Sequence, residues 1–241
     1  MSEFADSYGP WALVAGASDG VGAAFADELA RRGVNVVLLA RRQAVLDEVA
    51  VGITDRTGAQ TRTLAIDLAE PDAAAAVAAA TADLEIGFLV YCAGADPAFA
   101  PFLSQPVAAA EAMVHRNCLV PMQLCHHFAG PMAERGRGGI VIVGSGAGLV
   151  GGPNMVAYGA SKAGLLGLTR HLAALLGPHG VTVNAISPGM METERTAGLI
   201  GDRVIDRLRL ERPAARLLGG GGNGGVGDRG VGRQDRPVQV G

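Results

Sequence analysis

The chain has 241 residues, a net charge of −3 at pH 7, 49% hydrophobic residues and only 18% charged ones. Such a length and apolar content suit one globular domain of ordinary to large size and exclude a largely disordered chain. The small negative charge excludes a general electrostatic attraction to nucleic acid or to an anionic membrane.

The opening MSEFADSYGPWALVAGAS lacks a basic start followed by a long apolar run, so neither a secretory signal nor a membrane anchor is expected, and a cytoplasmic location follows. WALVA, residues 11–15, reads as the first strand. After it comes GASDGVGAAFADELA, in which Gly16, Gly20 and Gly22 stand in a G-x-x-x-G-x-G spacing just before a helix. A strand, a glycine turn and a helix N-terminus direct backbone N–H groups and a positive dipole end toward a pyrophosphate. The same spacing also fits an ordinary βα turn. Its position at the first strand of a long α/β series favours a dinucleotide, held by Gly16, Ser18, Gly20, Val21 and Gly22.

The second apolar run, VNVVLLA at 34–40, ends in LLARRQ. Where an NAD site of this architecture carries an acidic residue for the ribose 2′-hydroxyl, this chain has Arg41 and Arg42. A guanidinium pairs with a 2′-phosphate that a carboxylate would repel, so NADP is expected over NAD; solvated arginines are the alternative. Further apolar runs follow at 63–66 (TLAI), 86–91 (IGFLVY), 140–144 (IVIVG) and 181–187 (VTVNAIS). Their nearly continuous hydrophobicity suits strands covered on both faces, and stretches such as AAFADELARRG and PDAAAAVAAATADL between them suit helices. The alternation predicts an α/β fold, a single Rossmann domain with a doubly wound parallel sheet and helices on both faces.

Cys92, Cys118 and Cys125 are an odd count at unpatterned spacing, which argues for free thiols. His126 and His127 in CHHF point in different directions on a helix and lack a spaced ligand set, so no metal site is expected. In MVAYGASKAG, 155–164, Tyr158 and Lys162 lie four apart. On a helix they share one face, with the ammonium near the phenol.

Taken together, AGASDGVG, AIDLAE, CAG at 92–94, Asn117, Ser145, YGASK and SPGMMET stand in the order and spacing of the short-chain dehydrogenase/reductase family, which the chain resembles over about residues 10–195. YGPWALVAGASDGVG and ADELARRGVNVVLLARR look most like the branch with 17β-hydroxysteroid and long-chain 3-oxoacyl reductases. The resemblance implies an NADP-dependent oxidoreductase interconverting an apolar ketone and its secondary alcohol. It gives Tyr158 the role of proton donor and Lys162 that of its charge partner and a ribose ligand. Ser145 would hold the substrate oxygen, and Asn117 would support a relay water; taken alone, Asn117 also fits a helix kink near Pro121. Asp67 would accept from the adenine amino group, or cap the next helix, with Leu68 beside it. Cys92, Ala93 and Gly94 would line the cofactor, as would Pro188, Gly189 and Thr193. Residues 190–212 would cover the substrate.

Three departures from the family pattern stand out. Ala15 replaces the usual Thr, Cys92 replaces the Asn of the usual NAG, and Gly144 precedes Ser145. The first two remove hydrogen-bonding groups that each contribute about 1 kcal/mol.

The catalytic domain is expected over 8–210. Beyond it, residues 219–241 hold 10 of the chain's 36 glycines, and their large apolar residues are four valines. A flexible tail is expected there in place of the family's seventh strand, and a shifted reading frame near Leu218 would account for the abrupt change. That strand normally contributes to the dimer or tetramer interface. Its loss would leave VTVNAIS an exposed edge. The rival function is a catalytically silent NADP-binding or interaction protein that retains the fold.

Overall fold

A computed structural model of the chain describes residues 2–94 and 99–188. The expected loss of the seventh strand, the substrate cover, the glycine tail, Gly189 and Thr193 all fall outside the described residues.

In chain order the elements begin with α1 (Glu3–Tyr8), β1 (Trp11–Ala15), α2 (Gly20–Arg31), β2 (Asn35–Ala40), α3 (Gln43–Thr57), β3 (Thr61–Ala65), α4 (Ala73–Ala80) and β4 (Ile86–Tyr91). They continue with α5 (Val107–Val114), a π-helical turn at His115–Leu119, α6 (Val120–Arg135), β5 (Gly138–Val143), α7 (Val156–Leu176) and β6 (Val181–Ile186). All strand pairs are parallel, in the order β3-β2-β1-β4-β5-β6. Order reverses between β1 and β4, so the crevice beyond their C-terminal ends is where a ligand of this fold class sits.

Strand periodicity of two divides the core. Leu13 and Ala15 of β1 face the layer containing Val77, Leu124, Met132 and Leu165, which belong to α4, α6 and α7. Ala12 and Val14 face the layer containing Leu29, Leu46 and Ile53 from α2 and α3. With Leu13 fully buried, its truncation to Ala is expected to cost about 2–5 kcal/mol. The helix α1, which precedes the first expected strand, closes one end of the second layer by setting Tyr8 edge-on to Phe88 at 5.1 Å between ring centroids.

Two strands depart from the expectation of burial on both faces. β3 starts at Thr61, two residues before the apolar run, and its residues are half-buried or exposed; Thr61, Arg62 and Thr63 tolerate water because β3 is an edge. In β6, Val181 and Val183 are buried while Thr182, Asn184 and Ile186 are exposed, the alternation of a strand with one covered face among the described residues.

Candidate active site

The glycine turn follows β1 directly. Gly16 and Gly20 take positive φ, +88° and +52°, which favours glycine. A Cβ on Gly22 would sit 2.0 Å from the Gly16 carbonyl oxygen, so the first turn of α2 packs on the loop with no room for a side chain. The N-cap of α2, Asp19, makes no side-chain cap, leaving the helix start directed at the crevice. These features fit a phosphate-bearing cofactor lying across the turn. Ser18 and Val21 are half-buried at its mouth.

Arg41 and Arg42 follow β2 and are both exposed. Arg42 stands 3.7 Å from Asp19 in a pair that is well over half exposed on both sides and contributes little. Asp67, after β3, uses its carboxylate to accept the N–H of Ala69 at 3.0 Å, so it caps the 67–70 turn; Leu68 beside it is buried. Across the crevice, the Cys92 N–H donates to the Ala15 carbonyl at 2.8 Å, continuing the β1–β4 pairing. Burial pushes the Cys92 thiol up to about 12, with the nearby Lys162 charge opposing, so it is a neutral thiol at physiological pH. Ala93 and Gly94 are half-buried.

Asn117 sits in the middle of the π-helical turn and is fully buried. A Cβ on Gly94 would lie 2.3 Å from Asn117 Oδ1, which makes that glycine necessary for the asparagine to reach the crevice. Arg116 Nε donates to Oδ1 at 3.4 Å, and Nδ2 has no partner among the described residues. A buried amide N–H pair without an acceptor calls for a water or ligand oxygen.

Ser145 follows β5 in extended conformation, and its Oγ accepts the Ala147 N–H at 3.2 Å, which leaves the hydroxyl proton free to donate. The Ser145 loop is fastened to the end of β6, with Gly144 donating to Ile186 at 2.7 Å and Gly146 to Pro188 at 3.1 Å. Tyr158 and Lys162 occupy successive turns of α7. The small residues around them serve close packing: a Cβ on Gly159 would stand 2.9 Å from the Ala147 carbonyl, so α7 rests against the Ser145 loop.

Lys162 is 1% exposed, and its Nζ donates to the Val143 carbonyl at 2.9 Å and lies 5.7 Å from the Tyr158 ring centroid. Among the described residues no carboxylate pairs with it. Burial lowers its pKa to about 8, so at neutral pH it is still a cation, in surroundings that favour an anion nearby.

Beside Tyr158 opens a small cleft lined by Phe102, Gln105, Met113, Asn154 and Val156 among others. None of these five was named as a site residue from the sequence, where 99–114 and 149–154 carry no motif, although Val156 lies in the MVAYGASKAG stretch. Thus Ser145, Tyr158, Lys162, Asn117, Cys92 and Gly94 belong to loops and helices that meet beyond β1, β4 and β5. Arg41 and Asp67 lie farther along the same sheet edge, after β2 and β3.

No helix among the described residues is long and apolar enough to cross a membrane. A family model described as short chain dehydrogenase matches residues 10–203. The chain is 37% identical over 186 residues to a 7beta-hydroxysteroid dehydrogenase of Clostridium sardiniense, covering 77% of this chain and 71% of that one. It is 33% identical over 193 residues to a very-long-chain 3-oxoacyl-CoA reductase-B of Danio rerio, covering 79% of this chain and 62% of the relative. A solved short-chain dehydrogenase from Sphingobium yanoikuyae in complex with NADPH superposes with a TM-score of 0.74 at 35% identity, covering 78% of this chain and 75% of that one. The chain belongs to the short-chain dehydrogenase family, NAD(P)-dependent oxidoreductases acting on CH–OH and C=O groups.

Proposed function

We propose that the protein is an NADPH-dependent reductase of apolar ketones, steroid-like or fatty-acyl-like, that also runs in the alcohol-oxidising direction. The observation that carries this reading is the buried Lys162 cation, with no carboxylate partner among the described residues, beside the ring of Tyr158, which lines a largely apolar cleft. Steroid and oxoacyl relatives support the substrate class, and the NADPH-bound neighbour together with Arg41 and Arg42 supports the cofactor.

When bound, the reduced nicotinamide supplies a hydride to the carbonyl carbon. Residues of the glycine turn would hold the pyrophosphate, Arg41 and Arg42 the 2′-phosphate, and Asp67 and Leu68 the adenine side. Ala93 and Gly94 would flank the ring system, with Pro188 closing the turn beyond β6.

As negative charge develops on the substrate oxygen, Tyr158 donates its phenolic proton there. Lys162 stabilises the phenolate left behind, a Coulomb term that is stronger in a sheltered site than in water. Ser145 donates a hydrogen bond to the same oxygen and acts as an electrostatic aid. Asn117 Nδ2 holds a water through which the Tyr158 proton is replenished.

A second reading, a silent cofactor-binding protein, is favoured by one observation: at position 92 a neutral thiol stands where the family has an amide. Incubating the purified protein with NADPH or NADH and a panel of steroid, 3-oxoacyl and small apolar ketones separates the two. Oxidation of NADPH with at least one bulky apolar ketone is expected. Tight NADPH binding with no turnover across the panel would establish the silent reading instead.

A further inference from the structure

Tyr91 ends β4, immediately before Cys92, and its side chain is fully buried. The reaction outlined above makes no use of it. Its phenol nevertheless has one well-defined partner, donating to the backbone carbonyl of Arg116 at 2.5 Å.

That carbonyl lies in the π-helical turn, where the backbone donors are displaced. In an α-helix the N–H of Val120 would serve Arg116, but here it donates to the carbonyl of His115, one residue earlier. The next N–H along, which continued π-helical pairing would offer, falls at Pro121, and proline has none. Both donors that a helix would aim at the Arg116 carbonyl are thus diverted, and the Tyr91 hydroxyl takes their place from the neighbouring strand. The residue after Arg116 is Asn117, whose side chain lies against Gly94, three residues beyond Tyr91.

We infer that Tyr91 is a positioning residue: its hydroxyl fastens the π-helical turn that accompanies Pro121 to the end of β4, and so holds Asn117 in the crevice. The turn cannot relax into a regular α-helix without breaking this bond, and Asn117 would rotate away from Gly94 as it did so. The functional half of this inference rests on the role proposed for Asn117.

Tyr91→Phe keeps the ring and removes the hydroxyl. Its expected effect is a fall in kcat for ketone reduction of roughly tenfold, with KM for the ketone and Kd for NADPH changed less than about twofold, because a small misplacement of a relay group acts on the chemical step. In an Asn117→Ala background the same substitution is expected to add little. An equal further fall there would overturn the inference, since Tyr91 would then act by some route other than Asn117.

Thermal unfolding gives a readout independent of turnover. Pro121→Ala returns an N–H to the helix, so Tyr91→Phe should lower Tm by about 3 °C in the otherwise native protein and by clearly less in Pro121→Ala. Equal losses in both backgrounds contradict the donor exchange. If Tyr91→Phe alone does not fold, restored folding in the double variant is the predicted result and its absence the contrary one. Full turnover by Asn117→Ala would refute the relay assignment to Asn117, while the thermal comparison would still decide the bond between Tyr91 and the turn.

Discussion

The two halves of the sheet present their sites in different ways. Around β1, β2 and β3 the candidate residues act through backbone shape and exposed ends: Gly16, Gly20 and Gly22 make a turn with no room for side chains, and Arg41 and Arg42 stand in solvent. Around β4, β5 and β6 they act through polar side chains taken out of water. Among the described residues, the buried polar side chains Asn117, Ser161, Lys162 and Thr169 all lie in the π-helical turn or on α7, and only Thr81 lies elsewhere. Binding a long anionic cofactor requires a fitted surface, whereas moving a proton requires a few groups whose charge is poorly solvated until the reaction develops its partner. The second half therefore contains local instability that the first half does not.

Lys162→Met tests that contrast most severely. It removes the ammonium while filling similar volume, and kcat for ketone reduction is expected to fall by roughly 100-fold or more because the phenolate loses its stabilising charge. Yet Tm should stay level or rise, since a buried cation with no carboxylate partner among the described residues is replaced by an apolar chain. A large drop in Tm would mean that Lys162 is a structural residue.

In the cofactor half, Gly22→Ala should do the opposite. With a Cβ placed 2.0 Å from the Gly16 carbonyl, the backbone has to shift, so a loss of about 1–3 kcal/mol in stability is expected along with at least roughly tenfold weaker NADPH binding by calorimetry. Smaller again is Arg41→Asp, which should leave Tm unchanged and cut the NADPH-to-NADH affinity ratio by about tenfold. An unchanged ratio would leave Arg41 a solvated surface residue.

A further prediction concerns pH. Lys162 has its folded pKa lowered to about 8 from 10.5, chiefly by burial, so the native state releases this proton before the unfolded state does. Stability from this group should therefore rise with pH between about 8 and 10.5, while kcat/KM for NADPH, which reports the free enzyme, declines above about pH 8. A profile flat through that window would place the cation's pKa well above it.

These contrasts bear on what could be read before folding. The glycine turn was legible because its requirement is local: only glycine serves a loop in which a Cβ meets a carbonyl a few residues away. The parallel sheet and its central strands were legible because WALVA and IGFLVY are apolar on both faces. β3 was placed two residues late because Thr61 and Arg62 sit at an edge where polarity costs nothing.

On the other side, the pairing of Tyr158 with Lys162 follows from helical spacing, but the burial of Lys162 does not. It depends on α7 pressing against the Ser145 loop and on the Val143 carbonyl from β5. Nor could the π-helical turn be foreseen from Asn117 and Pro121 alone, since its displaced carbonyl is met by Tyr91, 25 residues away in sequence. The cleft residues Phe102, Met113 and Asn154 come from segments brought together by the fold and carry no spacing of their own.

The most direct test of the account is single-turnover reduction of a saturating bulky ketone by enzyme preloaded with NADPH, followed by loss of nicotinamide absorbance in the native protein and in Tyr158→Phe. The account predicts that the phenylalanine variant binds NADPH with unchanged Kd while hydride transfer slows by about 1,000-fold or more. Transfer at a rate within tenfold of the native protein would contradict the assignment of Tyr158 as the proton donor.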